Sequence, residues 1–301
     1  MKFVTFKIGE EINYGIVSEN KVIPIEEIIP YIELKSKPPS LKDFINELSK
    51  KEDYLKSLDE ILQKHIFKQI PLTEIKLLPP IPNPSKIIAI GLNYEDYRKI
   101  LGLPFPKVPT FFLKAPSTLI GHEDEILVPK GLGGIFHEWE IAMIISKKAK
   151  QIGKSKIEEH VFGFTIFNDI TGHELEMIEN RRYQPLAKNI DTYGPLGPWI
   201  STLDEFEHGV NNIKMIRKVN GETVCISSTN QMRFSFETIL QYISSFITLY
   251  PGDIISTGSP PTNYIKNGDV IEVEVEGIGV LRNFVKEIKV DLSLAKEFGL
   301  Y

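Results

Sequence analysis

Two glutamates one residue apart, Glu138 and Glu140, lie in the stretch Ile135-Phe136-His137-Glu138-Trp139-Glu140-Ile141-Ala142-Met143-Ile144-Ile145. The stretch ends in β-branched and apolar residues and holds no Pro or Gly, so it reads as a strand. Side chains alternate along a strand. Glu138 and Glu140 therefore share a face with Ala142 and Ile144, and His137, Trp139, Ile141 and Met143 take the other. Both faces turn apolar toward the C-terminal end, as in a strand entering a core. Two carboxylates on the inner part of such a strand repel each other and are costly to desolvate. A cation between them removes both penalties. With a further Asp the pair makes a hard-oxygen site suited to Mg²⁺, Ca²⁺ or Mn²⁺. The plainer alternative is a half-exposed strand whose glutamates point at water.

Asp169 offers that third carboxylate, at the end of Phe162-Gly163-Phe164-Thr165-Ile166-Phe167-Asn168-Asp169. The same place also suits the start of a turn. Lys188, in Pro185-Leu186-Ala187-Lys188-Asn189, has the charge to neutralise such a cage, hold a substrate oxyanion or move a proton. It also reads as a loop lysine in solvent. Thr257-Gly258-Ser259 has the hydroxyls and backbone N–H groups to face an anion, although small-residue turns of this kind are frequent. Cys225, the one cysteine, lies in a strand-like run and reads as a small packed residue. No P-loop, dinucleotide fingerprint, His-Glu-x-x-His or Gly-x-Ser-x-Gly occurs, which argues against nucleotide, zinc-protease and α/β-hydrolase chemistry.

The elements that must carry these residues are mostly strands. Residues 1–34 alternate apolar and polar positions, with turn signals at Gly9 and Asn20. Ser40 caps a helix bearing Leu41, Phe44, Ile45 and Leu48, and a second helical pattern runs from Leu55 to Ile66. Five prolines between Pro71 and Pro84 mark a linker, which predicts a small N-terminal domain over 1–78 and a larger one over 79–301. Strands are predicted at 86–90, 110–114, 125–129 and 162–169. Asn220-Gly221 predicts a hairpin turn, and Ser235 caps one long helix. Glu272, Glu274 and Glu276 read as the solvated face of a strand. The fold class is mostly β with some helix, α+β.

With 301 residues, 42% hydrophobic and 25% charged, the chain can bury a sizeable core. A net charge of -5 with scattered basic residues argues against a nucleic-acid binder. The longest apolar run, around Val161 to Phe167, is too short to cross a bilayer, and the N-terminus has charges inside its apolar run. A single cysteine suits a reducing compartment. The expectation is a cytoplasmic protein with no membrane or nucleic-acid partner.

Taken in order, these pieces resemble the fumarylacetoacetate hydrolase family. The likeness runs over roughly residues 86–286. It rests on Gly91-Leu92-Asn93-Tyr94, Phe111-Phe112-Leu113-Lys114, the stretch from His137 to Ala142, Asn168-Asp169, Ala187-Lys188 with Gly194-Pro195-Leu196-Gly197-Pro198-Trp199, and Pro251-Gly252-Asp253 through Ser259-Pro260. It closes on Asn267-Gly268-Asp269 and Gly277-Ile278-Gly279-Val280-Leu281-Arg282-Asn283. The resemblance implies a β-sandwich roll, a homodimer, and Glu138, Glu140 and Asp169 as ligands of Mg²⁺, with Mn²⁺ or Ca²⁺ suited to the same oxygens. It implies Lys188 as the active-site lysine. Asn93, Tyr94, Lys114, Thr257, Gly258 and Ser259 become residues near substrate, Ser259 in place of a family Thr.

Members act on small 2-oxo acids and related dicarbonyls. The resemblance therefore implies isomerisation, decarboxylation or dehydration through a metal-stabilised enolate, with C–C hydrolysis of acylpyruvates as the alternative. Three positions depart from the family. A His and a Glu that activate water in hydrolytic members are Tyr97 and Ile100 here, which favours enolate chemistry without a held water. A substrate-facing Arg becomes His173, and a Gln becomes Glu176. The pocket thus loses a bidentate anion fork and gains an acid. His173 suits either a general base or a hydrogen-bonding support, and Glu176 an added acid. The altered residues also leave room for a reading of another class, a catalytically silent metal-binding member.

Overall fold

The structure, a computed structural model, describes residues 1–131, 133–154, 157–178 and 185–291, with Ser293 and Glu297; of 176–178 it describes the backbone alone. Strands dominate, and two sheets pack against each other. The larger sheet runs, edge to edge, Ile70–Pro71, Lys21–Pro24, Glu11–Ser18, Lys2–Ile8, Gly194–Thr202, Val161–Gly172, Ile135–Ile145, Ile254–Ser256, Ile87–Gly91 and Thr110–Lys114. The second runs Glu222–Ser228, Lys214–Val219, Val270–Val275, Gly279–Ile288 and Glu125–Pro129. The α+β class expected from the sequence is what the chain adopts.

At the centre of the larger sheet lie the glutamate strand (Ile135–Ile145) and the aspartate strand (Val161–Gly172), antiparallel neighbours. Both faces of the glutamate strand are covered. Trp139, Ile141 and Met143 face a core between the sheets, filled by Met215, Val273, Val275, Leu281 and the helix Phe236–Phe246. Ala142 and Ile144 face the other way, into a second core with Phe167, Phe3 and the helices Leu41–Leu48 and Tyr54–Lys64. Residues 141–145 are all fully buried. Each fully buried Ile or Met contributes about 1.5–3 kcal/mol. That gain anchors the strand beside two buried and costly carboxyl groups, its own Glu140 and Asp169 of the neighbouring strand.

The local signals act as their chemistry requires. Ser40 Oγ accepts from Asp43 N–H at 3.2 Å, and Ser235 Oγ from Thr238 N–H at 3.3 Å. Asn220 and Gly221 both take positive φ, as the hairpin between Lys214–Val219 and Glu222–Ser228 needs. The proline-rich stretch differs from a free linker. Lys76–Leu77 pairs with the Lys2–Ile8 strand, and Thr5 Oγ1 donates to Pro80 O at 2.7 Å. Proline removes donors from the stretch, but its carbonyls and the residues between still accept partners.

Candidate metal centre

Register brings the acids together. Glu138 pairs directly with Asp169, and Glu140 with Phe167, so the two glutamates and the aspartate share one face of the sheet. One oxygen from each of Glu138, Glu140 and Asp169 lies within 4.8 Å of the other two. His137, adjacent in sequence, faces the opposite core, where its Nδ1 accepts from Arg217 Nε–H at 3.0 Å.

The acids sit at different depths. Glu140 and Asp169 are buried, whereas the Glu138 side chain is 21% exposed and marks the open side. Two lysines answer them. Lys188, on a short helical turn at Pro185–Lys188, points its Nζ at Asp169 Oδ2 (2.7 Å), at Thr171 Oγ1 (2.6 Å) and at Glu138 Oε2. Lys114, from the edge strand Thr110–Lys114, places its Nζ 2.7 Å from Asp169 Oδ1 and also donates to the Lys188 carbonyl. Thr171 Oγ1 lies 3.2 Å from Glu138 Oε2. The Lys188 ammonium also lies 5.1 Å from the ring centre of Phe112.

The two lysines leave one acid out. Burial opposes the charge of Asp169, but Lys114 and Lys188 outweigh it and hold the carboxyl below its ordinary range. Burial likewise disfavours the Lys188 ammonium, yet Asp169 and Glu138 raise its affinity for the proton above the ordinary value. For Glu140, burial and then the charges of Asp169 and Glu138 push the carboxyl well above its usual range. Its surroundings are nevertheless donors: Gly258 N–H at 2.9 Å and the Ser256 hydroxyl both point at Oε2. Three convergent carboxyl groups, oriented by donors and met among the described residues by two lysines, fit a divalent cation held by Glu138, Glu140 and Asp169.

The remaining expected residues take the following places. In the Thr257-Gly258-Ser259 turn, the Gly258 N–H is spent on a carboxyl group of the chain itself, that of Glu140. Gly258 has φ +89°, and a Cβ there would sit 2.9 Å from Asn93 Cβ, so glycine lets the N–H approach. Thr257 Oγ1 donates to Ile141 O at 2.8 Å, and Ser259 Oγ accepts from Trp139 N–H at 3.1 Å. Asn93 is fully buried and ties Phe234 to Thr257, donating to both carbonyls and accepting from Phe234 N–H. Tyr94 is buried in the core between the sheets, its hydroxyl 3.6 Å from Met215 Sδ. Tyr97 packs partly buried on that core, and Ile100 is 69% exposed. His173 begins the helix His173–Ile178 and sets its ring against Phe136. The side chain of Glu176 lies outside the described residues.

Thr171, Ser256 and Phe112 escaped the reading of the sequence. The strand alternation places Thr171 on the face of Asp169, which was the available signal. Ser256 and Phe112 lie inside stretches that carry the family resemblance, which assigns neither a role.

Residues 86–286 match the family profile for the fumarylacetoacetate (FAA) hydrolase C-terminal domain. The chain belongs to the fumarylacetoacetate hydrolase family. Human mitochondrial oxaloacetate tautomerase (Homo sapiens) is 37% identical over 224 residues, covering 72% of this chain and 71% of the relative. Among solved structures, maleylpyruvate hydrolase from Sphingobium sp. SYK-6 in complex with manganese(II) and pyruvate aligns with TM-score 0.77 at 26% identity, covering 95% of this chain and 99% of that one. The 5-carboxymethyl-2-hydroxymuconate delta-isomerase of Mycobacterium smegmatis aligns with TM-score 0.75 at 25% identity, covering 96% and 100%. These family members are named enzymes, and this chain is one too. The acidic triad here and the manganese in that relative both suit a divalent cation. No helix among the described residues is long and apolar enough to cross a membrane.

Proposed function

We propose that this family member is a divalent-metal-dependent tautomerase or isomerase of small 2-oxo acids. The convergence of Glu138, Glu140 and Asp169, with the Lys188 ammonium on two of them, carries the reading. When bound there, Mg²⁺ or Mn²⁺ supplies the positive charge that polarises a 2-oxo group and stabilises negative charge growing on its oxygen.

The chain's own residues supply the rest. Lys188 is held protonated by its two carboxylates, so it starts as an acid. In ketonisation it would deliver that proton to C3 while the enol O–H gives its proton to solvent water, and Lys188 then regains a proton from solvent, so the proton count balances without a co-reactant. Anything that draws charge from Glu138 and Asp169 lowers the hold of Lys188 on its proton and eases that transfer. Lys114 keeps Asp169 ionised from the other side. Decarboxylation or dehydration would use the same charge arrangement.

Two observations favour tautomerisation over C–C hydrolysis. Tyr97 and Ile100 present neither an imidazole nor a carboxylate where hydrolytic members hold water, and the human relative is named an oxaloacetate tautomerase. In this reading residues 79–301 form the catalytic domain and residues 1–78 a small N-terminal domain whose strand Lys2–Ile8 joins the larger sheet beside Gly194–Thr202. The reading extends to a cytoplasmic homodimer.

The test follows enol oxaloacetate by its ultraviolet absorbance, with Mg²⁺ and with chelator, beside cleavage of an acylpyruvate. The expected result is metal-dependent ketonisation that outpaces cleavage. Cleavage without ketonisation would replace the reading with a hydrolase. Silence on both, with metal still bound, would mark a catalytically inactive binding protein.

A further inference from the structure

Three aromatic rings stand at the open side of the acidic face. Phe136 and Tyr264 stack, with centroids 4.4 Å apart and planes 24° from parallel. His173 meets Phe136 edge-on at 4.5 Å and Tyr264 at 5.5 Å. The sheet positions them. Phe136 lies two residues before Glu138 and so on the same face, directly across from Thr171. Tyr264 pairs with Phe136 from the other side, on the short strand Tyr264–Ile265. A Cβ on Gly134 would lie 2.5 Å from Tyr264 Cε1, so glycine there lets the ring lie against the chain. The Tyr264 side is still open, at 56% exposure.

We propose that Phe136, His173 and Tyr264 form a shelf for the tail of the substrate, and that this tail is an aryl group. The proposal rests on the reading of the acidic site as the place of the 2-oxo acid head. Two residues along a strand span about 7 Å, so a tail leaving the head near Glu138 reaches Phe136 after a few atoms. Stacked and edge-on rings prefer a flat π partner, because ring faces are negative and ring edges positive. A flexible saturated chain gains contact there but not that alignment, and it loses more rotamer freedom on binding.

Two non-reactive probes separate head from tail. Oxamate carries the two-carbon acid head alone, and oxanilate adds one phenyl ring. Each is titrated calorimetrically into the Mg²⁺-loaded full chain. Oxanilate should bind roughly three- to tenfold more tightly than oxamate. Tyr264→Ala should bring the ratio near one, whereas Tyr264→Phe, which keeps the ring, should preserve it. Equal binding of the two probes by the parent protein overturns the shelf and leaves the site reading intact. So does a preference that survives Tyr264→Ala. Failure of both probes to bind removes the head site, and the shelf with it.

Discussion

Glu138 lies directly opposite Asp169 in the ladder between the two central strands, and both carboxylates hold the same ammonium, that of Lys188. Among the described residues Glu140 has no such partner, and it is buried deeper, against Gly258 N–H and Ser256. Acids of one cluster should therefore respond in opposite ways to loss of charge.

Asp169→Asn leaves two buried ammonium groups with too little counter-charge, at a cost of about 3–5 kcal/mol. Glu140→Gln removes an acid that burial already disfavours, and should leave the metal-free protein as stable as the parent or more so. Both should lose the rise in thermal stability that Mg²⁺ or Mn²⁺ gives the parent. Melting in chelator and in metal checks this; equal destabilisation by the two variants would contradict the charge assignment.

Lys188→Met keeps much of the volume and removes the proton carrier. Oxaloacetate ketonisation should fall by roughly 10²–10⁴. Divalent-cation affinity should hold or rise, because a competing positive charge is gone. A variant that still turns over at the parent rate would take Lys188 out of the chemistry.

Asn93 makes three buried hydrogen bonds that join Phe234 to the turn carrying Gly258. Asn93→Ala leaves those backbone groups without partners, at about 2–4 kcal/mol in urea unfolding. Metal affinity should drop with it, since Gly258 N–H orients Glu140. An Asn93→Ala protein with parent stability would show that water replaces the amide.

His122 Nδ1 accepts from Arg282 N–H at 3.1 Å. Burial, helped by the Arg282 charge and opposed by Glu123, holds its pKa below the ordinary 6.5. The folded state thus releases its proton more readily than the unfolded chain. Stability from this group is present above about 6.5 and is lost as pH falls toward the lower folded value. His122→Asn should flatten the melting temperature between pH 7 and 5 relative to the parent. A parent slope unchanged by that substitution would remove the assignment.

The order of elements was legible because it depends on short-range chemistry. Ser40 and Ser235 announce helix starts, Asn220-Gly221 a hairpin, and period-two alternation the common face of Glu138 and Glu140. The Pro71–Pro84 stretch was harder, because proline content reports missing donors and not whether the chain is packed. Thr257-Gly258-Ser259 showed donors that could face an anion, but the partner of its Gly258 N–H, the Glu140 carboxyl more than a hundred positions away, was not legible.

What the sequence determined by itself is the set of carboxylates, the faces they take along their strands, and membership of a family through motifs spread over residues 86–286. What only the tertiary structure decided is which acids meet which cations. Register places Glu138 against Asp169, and the Pro185–Lys188 turn and the Thr110–Lys114 edge strand deliver two lysines to them while leaving Glu140 without one. Electrostatic energy depends on separations of a few ångströms, and strand pairing sets those separations between residues up to 55 positions apart.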